Sequence, residues 1–291
     1  MKKVLSIISI FALSLMLIGC SKRITLENKT YETEEDIEVI QVNDIDMNVV
    51  IKKGSTDKIT VEYGTAKEFM LYVTYEHSNK TLTLRREQAK SMFFGSYNHG
   101  DTDETVITVP ESKEIKYTVA LDNGSITLNG IKPLESSFRT DNGSITLNNV
   151  VSSEKVELKT LSGEVSLKNS EFKELKVNVN NGAIRLDSVE VKEDLYTKTD
   201  NGETRYENVV ASKIEAESGH GEQILRNVDF KVIMSVKTTT GEINLSLKGK
   251  RSEYLATASA GTGKVTGTTD EGTKNVSCKT TVGDINIKYL G

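Results

Sequence analysis

Few residues of this 291-residue sequence have the types and spacing that metal binding or thiol chemistry requires. The three histidines, His77, His99 and His220, lie far apart, and no cysteine or carboxylate accompanies them at the spacing of a zinc site. Cys278 stands among alternating apolar residues, a pattern typical of a small buried side chain rather than of a reactive thiol. We therefore expect neither a cofactor nor a metal centre built on histidine or cysteine.

Nucleophilic and glycosidase chemistry are equally hard to place in this sequence. Ser125 and Ser144 each follow a glycine, but the nucleophile-elbow pattern is absent and no base stands at a suitable spacing. A polysaccharide-cleaving site needs carboxylates that face each other across the scissile bond. Asp187, Arg185 and Arg205 could lie near one another, but nothing distinguishes them from chance neighbours. We predict that the protein is not an enzyme.

One set of carboxylates does recur at a regular spacing. Glu203, Glu222 and Glu242 each directly follow a glycine and are separated by 19 and 20 residues. If the segments that carry them stack in register, they form an acidic column, and like charges opposite one another are unfavourable. A bound divalent cation, or compensation by Arg205 and Arg226, would relieve the repulsion. The alternative is a solvated face whose long side chains splay apart.

These carboxylates belong to a phrase that repeats nine times from about Leu121 to the C-terminus. The phrase is clearest in Asp122–Leu128 and Asp141–Leu147, which both read DNGSITL. Its central glycines follow one another at intervals of 19 to 22 residues, and such regularity marks a repeat architecture. We call them the corner glycines: Gly124, Gly143, Gly163, Gly182, Gly202, Gly221, Gly241, Gly263 and Gly283.

Apolar residues occupy fixed positions around each corner glycine. They stand seven and five residues before it and two and four residues after it, as with Phe138, Ile145 and Leu147 around Gly143. The residues between them are mostly polar, so each repeat predicts two short, half-buried strands that meet at the glycine. A third apolar contact follows, at Val150, Val189, Val209 or Val228.

Two architectures are compatible with such repeats. Asn-Gly between alternating strands also signals β-hairpins, but a propeller blade needs roughly forty residues. Thr240, Thr262 and Val282 precede corner glycines, and β-branched residues resist the positive φ of a tight hairpin. Columns of like residues favour coils stacked about 4.8 Å apart. We therefore predict an all-β fold: a single-stranded, right-handed β-helix (β-solenoid) of about nine coils over 111–291, preceded by an irregular β-rich cap over 36–110.

The first residues are typical of a targeting segment. Lys2 and Lys3 precede the apolar run Val4–Ile18, which is short for a membrane-spanning helix and suits a signal peptide. The run ends in Leu17–Cys20, LIGC, which closely resembles the bacterial lipoprotein signal. That resemblance implies cleavage before Cys20 and attachment of lipid to this cysteine. An ordinary secretion signal followed by a chance cysteine is the alternative.

The mature protein is then expected to start at Cys20. Residues 1–19 form the signal peptide, and residues 20–35 form a polar tether between the lipid and the domain. Loss of two lysines changes the formal net charge from −5 to −7. This charge argues against nucleic acid as a partner and against electrostatic adhesion to an anionic bilayer. We expect the lipid to hold the protein to the cell membrane, on its extracytoplasmic face at the cell surface.

The repeated NGxIxL phrase, the strand that ends at Pro110 and the β-rich region before it resemble a known family. This is the bacterial putative-adhesin domain of unknown function, and the resemblance covers Ile37–Gly291. It implies a repetitive β-helix that often occurs on lipoproteins or membrane proteins. It carries no catalytic residues that could be transferred to this chain.

These features predict a lipid-anchored surface protein with a binding, adhesion or envelope-structural role and without catalysis. Its ligand would be polysaccharide, cell wall or another protein. An envelope-stress or regulatory component that acts on membrane partners is the alternative, and a polysaccharide-processing enzyme is a third hypothesis. The last residues, Ile287–Gly291, have no capping element in the sequence. We expect either a dimer through this C-terminal coil or protection of its edge by Asp284 and Lys288.

Overall fold

The computed structural model describes residues 25–88 and 104–291. The predicted signal peptide, the lipidation site Cys20 and His99 lie outside these ranges. No helix in the described residues is long and apolar enough to cross a membrane. Strands dominate, and the prediction of an all-β solenoid is confirmed.

The described residues form 23 strands. Those that precede the repeats are β1 (Glu27–Thr33), β2 (Val39–Asp46), β3 (Asn48–Gly54), β4 (Ile59–Thr65), β5 (Phe69–Glu76), β6 (Thr81–Gln88) and β7 (Glu104–Pro110). Those of the repeats are β8 (Glu114–Asn123), β9 (Ile126–Asn129), β10 (Lys132–Pro133), β11 (Ser136–Asn142), β12 (Ile145–Asn148), β13 (Val151–Ser162), β14 (Val165–Asn181), β15 (Ile184–Asn201), β16 (Thr204–Glu207), β17 (Val210–His220), β18 (Gln223–Thr240), β19 (Ile243–Leu247), β20 (Tyr254–Thr262), β21 (Val265–Thr266), β22 (Lys274–Val282) and β23 (Ile285–Tyr289). A 3-10 turn at Arg251–Glu253 precedes β20.

Each repeat turns a corner at its glycine. The corner glycines have φ between +131° and +157°, a conformation that L side chains rarely adopt. A Cβ added to any of them would lie 1.9 to 2.2 Å from a carbonyl oxygen of the neighbouring coil. Only glycine fits such a close approach of two backbones. The residues two and four positions later point inward, and Ile145 and Leu147 are fully buried.

A second corner follows six residues after the glycine. Its φ lies between +49° and +57° at Asn149, Asn169, Ser188, Asn208 and Asn227. Asparagine tolerates this left-handed conformation better than most residues, which explains its recurrence here. The chain then directs the predicted third apolar contact into the core, and all four members are buried: Val150, Val189, Val209 and Val228.

A column of hydroxyls inside the solenoid supports the corners. Three residues before most corner glycines stands a threonine or serine whose hydroxyl donates a hydrogen bond to the carbonyl oxygen of the corner glycine one coil away. These donors are Thr140, Thr160, Thr199, Ser218, Thr238 and Thr280, with oxygen–oxygen distances of 2.8 to 3.5 Å. Val179 occupies this column between Thr160 and Thr199 and is buried.

The coil stack begins before the first corner glycine. β2 and β3 pair in parallel with β8 and β9, which places Val49 beside Ile126. On their other side, β6 and β7 pair with β2 and β3, also in parallel. The stack thus extends by two coils into region 36–110, for which the sequence predicted irregular strands. The corner between β2 and β3, at Met47, has no glycine, so the repeat phrase does not reveal it.

Antiparallel strands close the N-terminal end of the stack. β4 pairs with β7, β5 pairs with β6, and β1 pairs with β4 along its whole length. Residues 27–33 therefore form a strand, which differs from the tether expected over 20–35. The polar composition that suggested a tether also suits an edge strand, because charged side chains discourage pairing with other chains.

The last two coils stand in reverse order. β22 lies between β18 and β20, and β23 lies between β19 and β21. The coil of Gly283 is therefore inserted between the coils of Gly241 and Gly263. The repeat phrase does not predict this order, because each of the three coils carries its corner glycine at the same place in the repeat.

This insertion corrects the expectation that Ile287–Gly291 forms the free edge. The backbone N–H of Leu290 donates to the carbonyl oxygen of Leu247 at 2.9 Å, so the chain ends beside an inner coil. The outermost coil is that of β20 and β21. Its inward residues Ala256, Ala258 and Ala260 are small, so the core narrows at this end.

A buried ion pair lies in the N-terminal coils. Arg86 Nε donates to both carboxylate oxygens of Asp44, at 2.9 and 3.0 Å, and neither side chain is exposed. Arg86 Nη1 donates to the carbonyl oxygen of Gly64, and the guanidinium carbon lies 4.5 Å from the ring centroid of Phe69. The pair therefore joins β2 and β6 to the antiparallel end of the stack.

We predict opposite effects from two exchanges in the hydroxyl column. Thr199→Val removes the bond to the Gly182 carbonyl and lowers the free energy of unfolding by about 1–2 kcal/mol. Val179→Thr supplies the missing donor to the Gly163 carbonyl and raises the free energy of unfolding by up to about 1 kcal/mol. Urea denaturation of both variants measures these changes. Equal destabilisation by both would contradict a role for the hydroxyl.

Breaking the buried ion pair costs more than replacing it. Arg86→Met leaves the Asp44 carboxylate buried without its cation, and we expect a loss of about 3–5 kcal/mol in the free energy of unfolding. Adding Asp44→Leu to this variant recovers most of the loss, because the uncompensated charge is gone. Chemical denaturation of the two single variants and the double variant measures the coupling. A strictly additive double variant would refute it.

Candidate functional site

The strands that follow the corner glycines form one continuous outer face. Because side chains alternate, the residues one, three and five positions after each glycine point away from the core. Parallel pairing then aligns them in three columns along the solenoid, as with Arg185 beside Arg205 and Asn244 beside Asn286. The predicted acidic residues Glu203, Glu222 and Glu242 lie in the first column of this outer face.

Glu203 is held by two arginines. Arg205 Nε lies 2.9 Å and Arg185 Nη1 lies 3.2 Å from the same carboxylate oxygen. Arg185 also bonds Glu164, at 3.0 Å, so charges of alternating sign run across three coils. The hydrogen bond from Arg205, together with the charge of Arg185, lowers the pKa of Glu203. The predicted compensation by Arg205 is thus present, whereas Arg226 lies in the third column and does not bond Glu203.

Glu222 and Glu242 are joined by an amide instead. Asn244 Nδ2 donates to Glu222 at 2.8 Å and to Glu242 at 3.4 Å. Asn286 Nδ2 donates to Asn244 Oδ1, and Asn286 Oδ1 accepts from the Thr266 hydroxyl. This chain of hydrogen bonds fixes the two carboxylates side by side. Within the described residues, no group of three or more His, Cys, Asp or Glu side chains could hold a metal ion.

A shallow groove of about 210 Å³ lies over this chain of hydrogen bonds. Glu222 forms its acidic edge, Ile224 and the two asparagine amides line its floor, and Arg226 and Lys288 form its basic edge. Arg226 and Lys288 are exposed, and neither makes an ion pair with any described residue. The groove therefore presents two cations without ion pairs on one side and the Glu222 carboxylate, which accepts a hydrogen bond from the Asn244 amide, on the other.

The remaining candidates from the sequence do not join this groove. His220 is exposed at the corner beside Asn201 and Thr240, and His77 lies at the opposite end of the stack. Burial raises the pKa of the Cys278 thiol to about 12, so it is not a nucleophile at neutral pH.

The serines and the suspected lyase trio also have ordinary partners. Ser125 donates to Asn48 Oδ1, and Ser144 accepts from the backbone N–H of Glu164. Asp187 accepts from Ser188 and forms no ion pair with Arg185 or Arg205 within the described residues. No catalytic arrangement results among these side chains.

Sequence reasoning named Arg226 only as a partner for the acidic column, and it missed the two amides and Lys288. Asn244 and Asn286 stand three residues after their corner glycines, and Lys288 stands five residues after its own. Reading these outward columns as well as the inward ones would have placed them on one face. The reversed order of the last coils is nevertheless required to bring Lys288 next to Ser246, and no repeat position predicts it.

The arginine pairing of Glu203 predicts a pH-dependent loss of stability. Because the pKa of Glu203 is lowered in the folded state, its stabilisation is present above the unfolded pKa, about 4.3, and disappears as pH falls through the folded value. At pH 7, Arg205→Gln should lower Tm by about 1–3 °C, as expected for a half-exposed pair. Once the pH has fallen below the folded pKa of Glu203, the difference should vanish. In a Glu203→Gln background, Arg205→Gln should have little effect; an unchanged effect would contradict the pairing.

Several proteins of known structure are similar to this chain. A putative adhesin of known structure from Parabacteroides distasonis is 12% identical, with a TM-score of 0.49 over 92% of this chain and 100% of that chain. One from Bacteroides fragilis is 17% identical, with a TM-score of 0.48 over 91% and 99%. A putative lipid binding protein from P. distasonis is 17% identical, with a TM-score of 0.43 over 93% and 100%.

No curated protein matches the chain. The family model described as Toastrack DUF4097, in contrast, matches residues 37–289. This match confirms the resemblance carried by the NGxIxL phrase and covers most of the chain, including the two coils that lack the phrase. The chain belongs to the Toastrack DUF4097 family.

Proposed function

We propose that the protein is a lipid-anchored, non-catalytic binding protein of the cell surface, which holds a charged polymer of the envelope in the groove of its outer face. The observation that carries the proposal is the groove in which Arg226 and Lys288, which make no ion pair with any described residue, lie opposite the Glu222 carboxylate. Solenoids commonly bind extended partners along such faces, because successive coils repeat the same contacts.

The charges indicate the class of ligand. Four residues separate the first and third columns of a strand, which is about 13 Å at the usual rise per residue. A polymer of this width that carries both anionic and ammonium groups would meet complementary charge on both edges. Cell-wall polysaccharides and phosphate polymers with amino substituents have this chemistry. Glu222 is the one carboxylate among the residues that line the groove, so no second carboxylate faces it, which favours binding over hydrolysis.

The proposed anchor agrees with this function. Lipid on Cys20 would attach the chain near β1, at the end of the solenoid opposite the coil of β20 and β21. The outer face then runs away from the membrane, where a wall polymer or a surface on another cell can reach it.

Binding to purified cell wall from the source organism tests the proposal. The mature chain with Cys20→Ser, which lacks the lipid, is expected to co-sediment with the wall material. Arg226→Gln combined with Lys288→Gln should weaken binding about tenfold or more, because each lost charge-assisted bond is worth about 1.5–3 kcal/mol. Higher salt should weaken binding as well.

Lys159→Gln with Lys279→Gln is the matched control. Both lysines are exposed on the strands before the corner glycines, and their loss changes the net charge equally. We expect this variant to bind like the parent. Equal losses in both double variants would show that net charge, not the groove, is responsible. Binding to host matrix proteins alone would indicate adhesion to a host, and binding to neither material would favour a regulatory role with membrane partners.

A further inference from the structure

The outermost coil, formed by β20 and β21, leaves part of its backbone unpaired. The N–H and C=O of Ala256 bond the backbone of Thr269, at 3.1 and 3.0 Å, on the side that faces away from β22. Backbone groups alternate in direction along a strand, so those of Ala258 and Ala260 face the same way. No described residue lies opposite them. Two N–H and two C=O groups are therefore free at this edge.

This edge lacks the usual protection against pairing. Tyr254–Gly263, YLATASAGTG, contains neither a charged residue nor a proline. β1 at the other end of the stack, in contrast, carries Glu27, Lys29 and Glu32. Charges of this kind commonly protect natural edge strands from pairing with other chains. An unprotected edge of small residues is a template for another strand.

We propose that this edge pairs with the same edge of a second copy, in an antiparallel, twofold arrangement centred on Ser259. Ala258 of each copy would then lie opposite Ala260 of the other. The two free N–H and two free C=O groups of one strand match those of the other, giving four hydrogen bonds between the chains. Thr269, which already occupies the edge at Ala256, limits the pairing to this short segment.

The charges around the edge favour the antiparallel orientation. Lys264 follows the C-terminal end of β20 and is exposed without an ion pair in the described structure. Asp270 and Glu271 lie in the loop beside Ala256, near the other end of β20, and they too are exposed without ion pairs there. Arg251, which donates to the Thr268 carbonyl, is the nearest cation of that loop. Antiparallel pairing brings Lys264 of each copy towards this loop of the other.

The contact is short, so the association in solution should be weak. It is smaller than the interfaces of roughly 1,200–2,000 Å² that stable complexes bury. The inference does not rest on the proposed ligand groove, because that groove lies on the outer face.

Crosslinking at the twofold axis tests the inference. In the mature chain with Cys20→Ser, Ser259→Cys should form a disulfide-linked dimer under mild oxidation, since residues of a non-hydrogen-bonded antiparallel pair have Cα atoms about 4.5 Å apart. Ser277→Cys is the matched control, because it is equally exposed but lies one coil inward. We expect at least tenfold slower crosslinking of the control. Equal rates for the two variants would overturn the inference.

Charge exchange checks the orientation. In the Ser259→Cys chain, Lys264→Glu should slow crosslinking severalfold by placing like charges together, and further substitution of Asp270→Lys should restore it. Circular dichroism and Tm establish that each variant is folded. A crosslinking rate that neither substitution changes would refute the antiparallel arrangement. Unchanged wall binding by the Lys264→Glu chain would show that self-association and the proposed function are separate properties.

Discussion

The whole solenoid depends on the close approach of successive backbones at the corner glycines. At Gly182, a methyl group would lie 1.9 Å from the Gly163 carbonyl oxygen. Nothing but hydrogen fits, so every coil must turn at the same place as its neighbour. The inner hydroxyls then bond the same carbonyls and keep the corners in register. This single steric requirement aligns all other positions of the repeat.

Alignment has a chemical consequence on the outer face. Every outward position is repeated in a neighbouring coil, so a charge must find its partner in an adjacent coil or face a like charge. Around Glu203 the chain places Arg185 and Arg205, and the charges alternate. Around Asn244, amides stand in place of the cations. The nearby Arg226 and Lys288 have no ion-pair partner among the described residues. The charges around Glu203 are therefore paired within the outer face, whereas two cations near Asn244 remain available to a partner.

The fold was largely predictable from the sequence, because the glycine interval and the inward apolar columns follow directly from the coil geometry. The asparagines of the second corner and the inner threonines also recur at fixed positions, but their roles follow from the backbone conformation and not from the apolar pattern. The coil that turns at Met47 and the inserted position of Cys278 were not predictable. Coils that share the same corner can stack in more than one order, and the repeat phrase does not choose among them. The groove depends on that order, so the sequence indicated Glu222 and Arg226 but not the asparagines or Lys288.

The inserted coil also bears on the order in which the molecule is completed. A chain that folds from its N-terminus can add each coil to the one before it as far as Leu247. β20 and β21 have no such neighbour until residues 274–289 arrive and fill the space beneath them. Residues 274–289 therefore complete the stack. A chain interrupted before residue 274 would leave the edge of β18 and β19 and the strands β20 and β21 unpaired, and such open strands are susceptible to proteolysis.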